Sequence, residues 1–134
     1  AILGNEYPRA SVLGEIIPQS EFYSYEAKYL DDHGAVMHIP AEIQAETVHQ
    51  IQAAAILAFK SIGAEGLSRV DFFLKPDGSY VINEINTMPG FTEISMYPKL
   101  WEHTGISYSN LIDQLITLAL ERHQRDKNLK TSFD

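Results

Sequence analysis

With 134 residues, 45% hydrophobic content and 21% charged residues, the chain has the length of one ordinary soluble domain and enough apolar material to bury a core. A net charge of −8 without any visible basic patch argues against a nucleic-acid partner. No apolar run reaches membrane-spanning length, the N-terminus is not signal-like and there is no cysteine, so the expectation is a cytoplasmic protein that does not engage a membrane.

In chain order, residues 11–17 and 21–29 read as strands, with Pro18 between them limiting their pairing. From 41 to 62, Val48, Ile51, Ala55, Ala58 and Ile62 recur at helical spacing, and Gly63 stands as the C-terminal cap. Two alternating apolar runs then meet at Asp77-Gly78. Pro98 suits the first position of a short helix over 99–104 that Gly105 closes. Ser107 can cap a last helix over 108–122, with Leu111, Leu115, Leu118 and the neighbouring isoleucines as its buried stripe. The organisation expected is one unit over residues 1–123 and a polar tail over 124–134 that frays. His33, His38, His49, His103 and His123 give no sign of function, and Tyr97 and Trp101 read as packing residues.

The segment joined by Asp77-Gly78 carries the chemistry. Asp-Gly between alternating apolar runs is a strong hairpin signal. With Asp77 and Gly78 as the two loop residues, Phe73 falls opposite Ile82, Asp71 opposite Glu84 and Arg69 opposite Asn86. Opposed residues share a face, so two carboxylates come roughly 5 Å apart at their Cβ atoms, which is unfavourable unless positive charge lies between them. Oxygen donors without Cys or His suit a hard ion such as Mg²⁺. The other face carries Val70, Phe72, Leu74, Val81 and Ile85 for a core, with Asn83 as a polar exception. A plainer reading has Arg69 pair with Asp71 and Glu84 on a solvated sheet, and a longer loop would slip the register and move side chains to the other face.

Three stretches then carry a resemblance: Phe22-Tyr-Ser-Tyr-Glu-Ala-Lys-Tyr29, Gly66-Leu-Ser-Arg-Val-Asp-Phe-Phe73, and Asn83-Glu-Ile-Asn-Thr-Met-Pro-Gly-Phe91 running on through Ser95-Met-Tyr-Pro-Lys-Leu-Trp101. From about residue 1 to 123 the chain resembles the C-terminal part of the D-alanine–D-alanine ligases, members of the ATP-grasp superfamily. The resemblance implies an α+β fold, the C-terminal half of an ATP-grasp domain, with a mostly antiparallel sheet and flanking helices. It implies ATP-dependent joining of two D-alanines through an acyl phosphate for peptidoglycan synthesis. ATP and two Mg²⁺ ions, with Mn²⁺ as a substitute, are the implied cofactors. Asp71, Glu84 and Asn86 match the metal ligands, with Glu84 bridging both ions. Arg69 matches the arginine on the transferred phosphoryl oxygens and Gly90 the backbone donor to the tetrahedral oxyanion. Ser95 and the N–H of Met96 match the grip on the second D-alanine's carboxylate. Lys28 matches a lysine on the ATP phosphates, Tyr29 a tyrosine that closes over the site, and Phe22 a residue lining the adenine pocket.

Members of that family also carry an N-terminal domain for the first D-alanine and a central domain for the adenine hinge, and neither is present in these 134 residues. The expectation is a part of a larger polypeptide, dimeric when whole, that does not ligate D-alanine alone. Two other readings stand beside it: another ATP-grasp ligase, such as one forming D-alanyl-D-lactate, and a non-catalytic module that binds a metal or a partner.

Overall fold

The computed structural model describes residues 1–18, 35–92 and 94–129. Its strands are β1 (Ile2–Gly4), β2 (Arg9–Ala10), β3 (Glu15–Pro18), β4 (Ala35–His38), β5 (Gly66–Leu74) and β6 (Tyr80–Asn86); its helices are α1 (Ala45–Ser61), α2 (Met96–His103) and α3 (Tyr108–Lys127). All described pairings are antiparallel: one sheet runs β2-β1-β5-β6 and a separate pair joins β3 to β4. The α+β class with flanking helices is as expected. The expected strand over 21–29 lies outside the described residues, and that over 11–17 shortens to β3.

Each face of the larger sheet has its own core. Alternation along β5 turns Val70 and Phe72 to one side, where with Ile2 they pack on Ala55 and Phe59 of α1. Leu67, paired with Leu3, belongs to the other side, where Tyr97 and Trp101 of α2 and Leu111 of α3 close over it. Tyr97 and Trp101 are fully buried, and the Tyr97 hydroxyl donates to Ile2 O at 2.9 Å, stitching α2 to β1. Burial pushes the Tyr97 phenol well above its usual range.

The helices correct the sequence reading in detail. In α1 the buried row is Ile51, Ala55 and Phe59, whereas Ile62 is the exposed C-cap residue, because spacings of four keep one face and 62 falls past the helix end. Gly63 takes φ 65° beyond it, the left-handed conformation that lets the chain leave the helix. In α2, Pro98 is the third helical residue rather than the first, since the helix starts at Met96 after the N-cap Ser95. That position is tolerated because first-turn N–H groups have no intrahelical acceptor. In α3, Ser107 Oγ accepts from Asn110 N as expected, and Leu111, Leu115 and Leu118 face the core. Ile112 and Ile116, one residue further round, are exposed. The helix also continues past His123 to Lys127, where Arg125 and Arg122 bind Glu65 ahead of β5.

The hairpin contains the most instructive difference. Lys75 N–H donates to Ser79 O and Gly78 N–H to Lys75 O, so the loop is Pro76, Asp77 and Gly78, one residue longer than expected. Gly78 at φ 82° supplies the left-handed residue such a loop needs. Pairing therefore runs Leu74 with Tyr80, Phe73 with Val81 and Phe72 with Ile82, not Phe73 with Ile82. A register shift then skips Asn83, and the pairs Asp71 with Glu84, Val70 with Ile85 and Arg69 with Asn86 follow as expected. Asn83 is thus the extra residue of a bulge, and Ile82 rather than Val81 lies on the face of Phe72 and Tyr80, whose rings meet edge to face at 5.9 Å.

Candidate functional site

The helical layer of α2 and α3 covers only one end of its sheet face. Beyond Leu67 the same face carries Arg69 and Asp71 on β5 and Asn86 and Glu84 on β6, which neither α2 nor α3 buries. Arg69 lies flat against Asp71, with Nε to Oδ1 and Nη2 to Oδ2 both 2.8 Å, and its Nη2 reaches Glu84 Oε1 at 3.4 Å. Side-chain exposure rises outward from 18% at Arg69 through 27% at Asp71 to 49% at Glu84. One guanidinium stands against two carboxylates, so these groups carry a net charge of −1. Among the described residues no third His, Cys, Asp or Glu joins them to form a metal cluster. The remaining oxygen donor is the Asn86 amide, whose Oδ1 accepts from Met88 N at 3.0 Å. Two carboxylates and an amide oxygen, with surplus negative charge and an open side, form a donor set that fits a hard divalent cation.

The Asn86 contact starts the loop that leads to α2. Phe91 anchors it: its ring meets Tyr97 at 5.8 Å and Tyr108 at 5.3 Å, and its carbonyl accepts from the Tyr108 hydroxyl at 2.8 Å. On either side of this anchor stand Gly90 and Ser95. A Cβ on Gly90 would lie 3.0 Å from Ser95 Oγ, so the lack of a side chain lets the two segments close together. Ser95 Oγ accepts from Thr92 N at 3.0 Å and lies 2.8 Å from Thr92 Oγ1. The Met96 side chain is buried, which leaves its backbone at the start of α2 as the group to offer a ligand.

Four of the expected site residues, Arg69, Asp71, Glu84 and Asn86, thus share one sheet face, and Gly90, Ser95 and Met96 cluster in the loop that follows. Phe22, Lys28 and Tyr29 lie outside the described residues. The sequence reading missed Thr92, which the Thr-x-x-Ser spacing to Ser95 signals. It also missed Val81, which the longer loop brings onto the carboxylate face opposite Phe73, in the place expected of Ile82.

A family model described as the D-ala D-ala ligase C-terminus matches residues 1–117. The D-alanine–D-alanine ligases of Oceanobacillus iheyensis and Shouchella clausii are 61% and 58% identical, over 98% and 100% of this chain. The chain spans 36% and 37% of their lengths, about a third of each. Among solved structures, the D-alanine-D-alanine ligase from Coxiella burnetii matches at TM-score 0.81 and 44% identity, over 94% of this chain and 32% of that one. A D-Ala:D-Ser ligase from Enterococcus faecalis matches at TM-score 0.76 and 40% identity, over 87% and 34%. The ligase from Bacillus anthracis complexed with ATP matches at TM-score 0.74 and 26% identity, over 93% and 38%.

Proposed function

Because the chain belongs to the D-alanine–D-alanine ligase family, in its C-terminal region, we propose that it supplies the phosphate half of the active site of an ATP-dependent ligase joining two D-alanines. The observation that carries this reading is the pairing of Asp71 with Glu84 and of Arg69 with Asn86 on one face of the sheet. Asp71, Glu84 and Asn86 would hold two Mg²⁺ ions, or Mn²⁺ in their place, which would neutralise charge on the nucleotide phosphates.

In the reaction, ATP phosphorylates the carboxylate of one D-alanine, and the amine of the second attacks the resulting acyl phosphate, releasing phosphate. Both steps gather negative charge on oxygen. Arg69 meets it with a planar fork suited to phosphoryl oxygens. Asp71 holds that fork flat through two parallel bonds. Gly90 N–H is assigned to the tetrahedral oxyanion, where a preorganised donor costs no rearrangement during reaction. Ser95 and the N–H of Met96 take the carboxylate of the second D-alanine at the start of α2. Lys28 on the phosphates, Phe22 at the adenine and Tyr29 closing over the site complete the assignment, together with the family's other domains. The 134-residue chain by itself makes no D-alanyl-D-alanine, and ADP release coupled to dipeptide formation by that chain would refute this. The likeness to a D-Ala:D-Ser ligase keeps a second acceptor in play. Competition between D-alanine, D-serine and D-lactate in the full-length enzyme separates these.

The direct test of the metal assignment is Glu84→Gln in the full-length enzyme. Turnover at limiting Mg²⁺ falls on the order of a hundredfold if Glu84 is a ligand, and unchanged turnover there would sink the assignment.

A further inference from the structure

Ser95 is the N-cap residue of α2, extended at φ −70° and ψ 141°, yet its hydroxyl caps no N–H of that helix. A serine in this position ordinarily accepts from the N–H two or three residues on. Three residues on stands Pro98, which has none to give. The hydroxyl turns back instead to Thr92, accepting Thr92 N–H at 3.0 Å and lying 2.8 Å from Thr92 Oγ1. Ser95 N–H returns the contact to Thr92 O at 2.9 Å. Gly90 backs the same oxygen, where a Cβ would come within 3.0 Å.

A serine hydroxyl has two acceptor sites and one proton. Thr92 N–H occupies one acceptor site. We infer that the Thr92 hydroxyl donates into the other and so commits the Ser95 proton to an incoming acceptor, making Thr92 a positioning residue for the substrate carboxylate. A carboxylate only accepts, so the chain from Thr92 O–H through Ser95 O–H to the substrate runs in a single direction and each bond polarises the next. Pro98 contributes by withholding one of the two N–H groups that ordinarily hold an N-cap oxygen; the other, on Tyr97, makes no bond to the Ser95 side chain. This inference rests on the reading of Ser95 as a ligand of the second D-alanine.

The test uses the full-length ligase with Thr92→Val, Thr92→Ser, Ser95→Ala and the double variant Thr92→Val with Ser95→Ala. D-alanine is varied in the acceptor site, and D-alaninamide serves as a neutral acceptor of similar shape. Thr92→Val raises the acceptor KM about tenfold, leaves the KM for ATP unchanged and narrows the preference for D-alanine over its amide. Thr92→Ser restores the wild-type values, and Thr92→Val adds nothing once Ser95 is alanine. A wild-type acceptor KM in Thr92→Val beside an impaired Ser95→Ala would overturn the inference alone. So would an undiminished Thr92→Val effect in the Ser95→Ala background. An unchanged acceptor KM in Ser95→Ala would remove the carboxylate assignment itself, and the inference with it.

Discussion

Just before β5, Glu65 is gripped by two guanidinium groups, Arg122 at 3.1 Å and Arg125 at 2.5 Å, and Asp126 balances the second positive charge. A few residues along the same stretch of chain, Arg69 is the side-chain cation that faces Asp71 and Glu84 among the described residues. Among the described residues the first cluster holds two charges of each sign, and the second one positive and two negative. The first ties the end of α3 to the sheet and leaves nothing to neutralise. The second keeps like charges opposed on neighbouring strands, a repulsion that Arg69 offsets in part and a further cation would offset more fully. Surplus charge on the hairpin is what the proposed site rests on, whereas matched charge at a helix end serves as a fastening.

The largest expected effect comes from disturbing the unbalanced cluster. Asp71→Asn in the full-length enzyme removes the charge and one oxygen of a proposed metal ligand and loosens the Arg69 fork, and initial-rate assays should find kcat lower on the order of a hundredfold. Arg69→Lys keeps the charge but loses the planar donor pair, so kcat should fall by about tenfold, as read in the same assay. The balanced cluster should behave oppositely. Glu65→Gln should leave kcat unchanged and lower stability by about 0.5 kcal/mol, measured by urea unfolding of this chain. A comparable loss of activity in Glu65→Gln would break the distinction between the clusters.

The smallest effect is one of pH. The Arg125 hydrogen bond, helped by the charges of Arg125 and Arg122, holds the Glu65 carboxyl below the usual carboxylate range. A carboxyl lowered in the folded state contributes stability above its unfolded pKa of about 4.3, and that contribution disappears as pH falls through the folded value. Melting curves of wild type and Glu65→Gln should therefore differ at neutral pH and converge as the pH drops below about 4. A gap that persists there would mean that packing, not charge, fastens α3.

How far the sequence revealed these regions follows from how local the physics was. Asp77-Gly78 announced the hairpin, and the pairs Asp71 with Glu84 and Arg69 with Asn86 were legible because two deviations cancel. The loop is one residue longer than Asp-Gly suggests, and Asn83 is one residue extra in β6. Alternation alone cannot see either deviation, so Val81 was assigned to the core face that Ile82 occupies. The row Ile51, Ala55 and Phe59 was only partly recognised, since periodicity does not show where the helix stops relative to Ile62. The extent of α3 past His123 was hidden for a different reason. Its last turn is polar, and it is held by ion pairs to Glu65, more than fifty residues away in sequence. The candidate site read better than the helix ends because its residues lie within one hairpin and the loop that leaves it.

In the proposed mechanism a divalent cation completes the unbalanced cluster. Calorimetric titration of ATP into the full-length enzyme at rising Mg²⁺, for wild type and Glu84→Gln, tests this most directly. Wild-type affinity should climb with Mg²⁺ while the variant's dependence flattens, with a loss on the order of a hundredfold at saturating metal. Superimposable titrations at every Mg²⁺ concentration would contradict it.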